Sequence, residues 1–239
     1  MASSEEFGLR LPLFMTPKLK YRAGAALFAV ASFIYFATNH YPYFTPRELP
    51  MSFVDRAVPF VPWTVLIYVS EYFFFTVVYI VVRDMENLNK YLYSFFFTQG
   101  LSCAIFFFWP TVYRRELFPI PAETGPIVTA IFTWLRAGDA ATNCFPSLHV
   151  STVYLSAYIF LDEQPKKFPL FFTWATFIAL STLPTKQHYF VDIIAGFALS
   201  VASYLVFHRW MPYRRVGSAA VAGAVTERVG KAVAYQANR

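Results

Sequence analysis

Long apolar runs, broken by short polar and proline-rich joints, dominate the pattern of this chain. A hydrocarbon core about 30 Å thick takes roughly 20 apolar residues in a helix. Six stretches reach or approach that length: residues 22–39, 62–82, 91–110, 146–161, 168–183 and 189–207. The last three are short. Only Ser70, Glu71 and threonine interrupt the second. The longest connection, 111–144, is broken by Pro119, Pro121, Gly125 and Pro126, and its apolar stretch 127–135 predicts a short helix on or beside the membrane. Connections of this length in compact proteins are often functional. Pro46, Pro50, Pro59 and Pro62 punctuate the joint between the first two spans. Near the C-terminus Val221, Val225, Val229 and Val233 recur every four residues, a pattern that fits an amphipathic helix at the inner interface or, equally, a solvated tail. No internal repeat is visible. Glu5, Glu6, Arg10, Lys18 and Lys20 precede the first span without a cleavage-site pattern, so that span reads as an uncleaved anchor.

Composition agrees with the pattern. Of the 239 residues, 57% are hydrophobic and 21% aromatic, while only 14% are charged. A soluble globule is nearer ~45–50% apolar and ~25% charged, so this chain is expected to be all-α and polytopic, a bundle of six transmembrane helices. Disorder, a coiled coil and a disulfide scaffold are excluded by the same figures. The net charge of +6 would hint at nucleic acid in a soluble protein. In a membrane protein it is better spent on orientation, so no nucleic-acid partner is expected. With the N-terminus inside, six basic residues fall outside (Arg47, Arg56, Arg114, Arg115, Arg136 and Lys186) and the other fourteen of the 20 fall inside. Both termini are therefore expected to be cytoplasmic. The chain divides into a cytoplasmic segment 1–21, a six-span catalytic membrane domain 22–208 and a cytoplasmic basic tail 209–239. Its short loops and compact ends point to a bacterial plasma membrane. Cys103 and Cys144 are too few for a disulfide framework or a metal site.

Candidate chemistry gathers at the outer ends of the spans. His40 and His208 read as interfacial residues. His149 lies in Cys144-Phe145-Pro146-Ser147-Leu148-His149, where Pro146 and Ser147 form a helix-start pattern whose free N–H groups suit a phosphate. His188 and Asp192 are four apart, one helical turn if helical, so the carboxylate can fix the imidazole tautomer. Asp192 sits in an otherwise apolar span, where an ionisable group is a functional hypothesis by default. Gly196 leaves room for a close neighbour. A His–Asp pair that merely ties two helices together is the competing reading of each motif alone. Arg114, Arg115, Arg136 and Lys186 share the outer face with both motifs, and the whole reads as a site for an anionic group.

These residues resemble the type 2 phosphatidic acid phosphatase superfamily. Pro146-Ser147-Leu148-His149 matches its second motif, Pro-Ser-x-His. Ser181-x6-His188-x3-Asp192 matches the third, Ser-Arg-x5-His-x3-Asp, except that Thr182 replaces Arg. That departure, with the run His188-Tyr189-Phe190-Val191-Asp192, is similar to the inositol-phosphorylceramide synthase and sphingomyelin synthase branch. The first motif, Lys-x6-Arg-Pro, is incomplete; Pro110–Arg115 is the nearest equivalent. The resemblance implies that His188 is the nucleophile and forms a phosphohistidine, that Asp192 holds its ring, and that His149 protonates the leaving oxygen. It implies phosphate contacts from Arg114 or Arg115, Lys186 (in place of the missing Arg), Arg136 and Ser147, with no metal and no cofactor. The implied function is transfer of a phospho-headgroup from a membrane phospholipid donor to a lipid alcohol, on the non-cytoplasmic face. Two alternatives remain: a phosphatase in which water accepts the phosphate of phosphatidic acid or an isoprenyl (di)phosphate, and a non-catalytic binder or transporter of anionic lipid.

Overall fold

The structure, a computed structural model, describes residues 10–215. The stretch with Val221, Val225, Val229 and Val233 lies outside the described residues, as do residues 1–9 and most of the basic tail. The described chain is mostly helical. Its helices are α1 (Lys20–His40), α2 (Phe53–Ala57), α3 (Val65–Val81), α4 (Met85–Phe108), α5 (Pro126–Gly138), α6 (Leu148–Glu163), α7 (Phe168–Ser181) and α8 (Phe190–Tyr204). The last continues as a π-helical turn, Leu205–Trp210. Among the described residues, four helices are long and apolar enough to cross a membrane: Lys20–His40, Pro62–Val81, Met85–Phe108 and Phe190–Trp210. The two other expected spans, α6 and α7, have 16 and 14 residues.

Helix α4 starts at Met85, earlier than its apolar run predicts. Its first turns look too polar for a span, but Asp84 caps them by accepting from the N–H groups of Glu86 and Asn87. Asn89 there is buried and accepts from Phe14 N and Met15 N at 2.9 and 3.1 Å. Polarity at this end serves tertiary packing.

Helix α6 is central, against α3, α4, α7 and α8. Every residue from Val150 to Phe160 is buried. Its Ser151, Thr152 and Ser156 hydroxyls donate to carbonyls one turn back, so they pack without an unpaired group. Phe160 stacks on Phe171 of α7 with ring centroids 3.9 Å apart. Outward faces are strongly apolar: Phe33, Phe73 and Leu170 are each more than half exposed. Such surface is at home in lipid rather than water.

Short strands tie the ends together. β1 (Leu11–Leu13) pairs in parallel with β4 (Tyr213–Arg215), so the segments before α1 and after α8 lie at one end of the bundle. β2 (Arg47–Glu48) pairs with β3 (Thr111–Val112). The start of α6, the start of α8 and the connection 111–147 come together at the opposite end, where the candidate residues lie.

Candidate active site

The chain enters α6 through Ser147, whose Oγ accepts from Val150 N at 3.3 Å. Ser147 N donates to Asp192 O at 3.1 Å, so the starts of α6 and α8 are bonded directly. Gly196 permits this approach: a Cβ there would meet Ser147 O at 2.6 Å. His149 stands in the first turn of α6. His188 lies in the turn just before α8, not on the helix, and Asp192 reaches back from the first turn of α8. Asp192 Oδ2 accepts from Tyr189 N at 2.8 Å and lies 3.3 Å from His188 Nδ1.

Hydrogen bonds define the proton positions. His188 Nδ1 also lies 3.1 Å from Cys144 O. A carbonyl only accepts, so Nδ1 carries the proton and Nε2 keeps a lone pair. Burial, and after it the neighbouring His149, lowers the His188 imidazole to about 3, so this ring is neutral near pH 7. Its Nε2 faces His149 Nδ1 at 3.2 Å. On the far side of His149, Nε2 is 2.6 Å from the Tyr68 hydroxyl and 3.2 Å from Glu71 Oε1. The chain Asp192–His188–His149–Glu71 thus runs from α8 across α6 to α3. It offers a neutral imidazole nitrogen beside a second imidazole able to give or take a proton.

The expected phosphate-binding residues occupy quite different positions. Arg115 is buried; its Nη1 and Nη2 donate to Asp139 O and Oδ2 at 2.6 and 2.8 Å. Burial works against both charges, yet each holds the other ionised: Asp139 keeps the guanidinium above its usual range, and Arg115 keeps the carboxyl below its own. Arg114 points away, half exposed, to Glu116 and Glu48 at 2.7 and 3.1 Å. Arg136 donates to Phe118 O at 3.0 Å and lies over the Phe60 and Phe132 rings. Lys186 has a left-handed φ of 56°. Its Nζ donates to Asp55 O and Val58 O, at 3.2 and 2.5 Å, the carbonyls at the end of α2. Burial lowers the Lys186 amine despite Asp55 nearby. Thr182, where the motif has Arg, is consumed locally: its hydroxyl donates to Ala179 O, and its carbonyl accepts from Gln187 N and His188 N. The structure therefore brings His149, His188, Asp192, Ser147 and Arg115 to one end of the bundle core and turns Arg114 and Lys186 to other partners.

Sequence reasoning did not single out Tyr68, Glu71, Asp139 or the Cys144 carbonyl. Glu71 carried a signal, an acid inside an apolar run. The others carried none, because a tyrosine in a span, an acid in a loop and a backbone oxygen are unremarkable by themselves. Burial raises the Cys144 thiol well above its usual range; its Sγ donates to Ala141 O, and it is the carbonyl that accepts from His188. Among the described residues, no three His, Cys, Asp or Glu side chains converge as a metal-ligand set.

A family model described as the PAP2 superfamily matches residues 43–206, well over half of the sequence. The chain belongs to the PAP2 superfamily. It is thereby an enzyme of the type 2 phosphatidic acid phosphatase superfamily, and its apolar helices suit a multi-pass membrane protein. It is also similar to the inositol phosphorylceramide synthase catalytic subunit AUR1 of Saccharomyces cerevisiae, 41% identical over 65 residues. That alignment covers 27% of this chain and only 16% of the yeast protein. No solved structure matches the chain. Membership and the partial likeness together support a lipid phosphatase or phosphotransferase.

Proposed function

We propose that this PAP2-superfamily enzyme transfers a phospho-headgroup between lipids through a phosphohistidine on His188. The contact that carries the reading is His188 Nε2, deprotonated because Nδ1 serves Cys144 O, facing His149 across 3.2 Å. A phosphoryl group enters between the two rings and parts them. Nε2 attacks phosphorus, the bond from phosphorus to the lipid oxygen breaks, and His149 gives its proton to that oxygen. The headgroup stays on phosphorus. An acceptor hydroxyl then attacks, loses its proton to His149, and His188 leaves. Asp192 stabilises the charge on His188 while it is phosphorylated, and Glu71 with Tyr68 holds His149 from behind. Arg115 offsets charge on the equatorial oxygens, and Arg136 supports the same field. Ser147 keeps the α6 start in place.

The charge balance favours a phosphodiester donor. Glu71, Asp139 and Asp192 are buried here, and Arg115 already faces one of them. Such a site suits a singly charged phosphodiester better than a doubly charged phosphomonoester. The yeast synthase likeness and the Thr182 departure favour a lipid alcohol of the ceramide kind as acceptor. The bundle is read as six spans, residues 22–208, with both ends cytoplasmic and the site on the other face. Pairing of β1 with β4 and the excess of Lys and Arg at that end support this orientation.

Purified protein is incubated with an isotope-labelled phosphodiester lipid, with and without ceramide or diacylglycerol, and products are separated by mass. A new headgroup-bearing lipid that forms only with the alcohol is expected. Free phosphate released from phosphatidic acid, indifferent to the alcohol, would reassign the enzyme as a phosphatase.

A further inference from the structure

Helix α1 has an unusual balance of contacts. Of its 21 residues only Lys20, Ala31 and Asn39 are buried, and it packs chiefly on α4. Its last turns nevertheless hold segment 139–143 by a dense set of hydrogen bonds. Tyr35 OH donates to Asp139 Oδ1 at 2.6 Å. Asn39 accepts from Ala140 N at 2.8 Å and donates to Ala140 O at 3.1 Å. Thr142 Oγ1 donates to Asn39 O at 2.6 Å, and Asn143 Nδ2 to Thr38 Oγ1 at 3.1 Å. The clamped segment begins at the partner of Arg115 and ends beside Cys144, whose carbonyl accepts from His188 Nδ1.

The two oxygens of Asp139 are divided. Oδ1 is taken by Tyr35, and Oδ2 by Arg115 Nη2. Arg115 Nη1 goes to the Asp139 backbone oxygen. Arg115 Nε is buried and has no partner among the described residues. A carboxylate free to turn favours a two-pronged contact with an arginine, and a side-on pair would consume Nε. By occupying Oδ1, Tyr35 opposes that turn. The segment leading to Arg115 lies beside the residue after His188: Tyr189 OH donates to Val112 O at 3.0 Å, and the Tyr113 and Tyr189 rings have centroids 4.5 Å apart. From there the Arg115 charge opposes protonation of His188.

We propose that Tyr35 is a positioning residue that, through Asp139, keeps the Arg115 Nε–H free to donate to a phosphoryl oxygen at the His149–His188 pair. This rests on the reading of that pair as the phosphate site. The helix least buried in the bundle would then set the affinity of the site for phosphate.

Orthovanadate, which adopts the five-coordinate shape of in-line phosphoryl attack, is the probe, and its binding to the full chain is measured by calorimetry. Tyr35→Phe is expected to weaken binding about 5- to 10-fold, the loss typical of a single hydrogen bond. Thr38→Val breaks the same clamp without touching Asp139 and should change binding less than about twofold. Arg115→Ala should abolish it. Wild-type affinity in Tyr35→Phe, or an equal loss in Thr38→Val, overturns the positioning role alone. No vanadate binding by the wild type, or unchanged binding in Arg115→Ala, overturns the phosphate-site reading and this inference with it.

Discussion

The α6–α8 pair carries a His–Asp contact at each end, and the two differ in what surrounds them. At the end near the chain termini, His208 Nδ1 is 2.9 Å from Asp162 Oδ2. Arg209 satisfies the other carboxylate oxygen at 2.7 Å, and Tyr204 lies within 3.3 Å of Oδ2. The remaining nitrogen of His208 is buried and has no hydrogen-bond partner among the described residues. At the opposite end Asp192 has a backbone N–H and an imidazole and, among the described residues, no cation in ion-pair contact, since Lys186 is drawn off to the end of α2. There the remaining nitrogen of His188 faces a second imidazole. A His–Asp pair neutralised by arginine, with its far nitrogen walled in, is a brace between helices. One whose far nitrogen carries a lone pair and looks across at a second imidazole has the geometry that the proposed phosphohistidine chemistry requires.

The sharpest way to break this contrast is to remove each imidazole. His188→Ala is expected to lower turnover about 10³-fold or more, since the attacking atom is gone. His208→Ala should keep activity within about threefold and instead cost about 1–2 kcal/mol of stability through the lost brace. Turnover rates and melting temperatures of the two variants, taken together, decide it. Comparable activity losses in both would erase the distinction.

A smaller effect tests how the reacting end is held. Gly196→Ala places a methyl group against the Ser147 carbonyl, which must move. That shift displaces His149 relative to His188, and misplacement on the order of 1 Å can cost up to about 100-fold in rate. A loss of about 10- to 100-fold in kcat is expected, with KM changing less. Unchanged kcat would mean that the α6–α8 spacing does not set the reacting geometry.

The smallest effect concerns protons. Folded His188 stays neutral down to about pH 3, whereas an unfolded imidazole takes up its proton near 6.5. Between those values the unfolded chain binds the additional proton. Stability therefore falls as pH falls below 6.5, by at most about 1.4 kcal/mol per pH unit. His188→Asn should flatten that acid slope in melting experiments. An identical slope in the variant would assign it to other groups.

How much of this was legible in the chain follows from what kind of contact each feature uses. His149, His188 and Asp192 lie in short motifs, and Gly196 four residues beyond Asp192 marked the close approach of helices. Four candidate spans showed as runs of apolar residues. Four things were hidden. The start of α4 is polar because Asn89 binds the backbone of Phe14 and Met15, a long-range use that hydropathy reads as a joint. Lys186 looked like a free cation beside His188, but its left-handed backbone accompanies a side chain directed to α2. The Tyr35–Asp139–Arg115 relay joins residues up to 104 positions apart, and the His188 proton rests on a backbone oxygen. Neither leaves a mark in residue identity.

The most direct test of the central claim is to trap the covalent intermediate. Wild-type protein is mixed with a labelled phosphodiester lipid in the absence of acceptor, quenched in alkali to spare a phosphorus–nitrogen bond, and digested for mass spectrometry. A phospho-headgroup adduct is expected on the peptide containing His188, absent from His188→Ala and discharged by added lipid alcohol. Steady product formation with no adduct at His188, or an adduct carried by another residue, would contradict it.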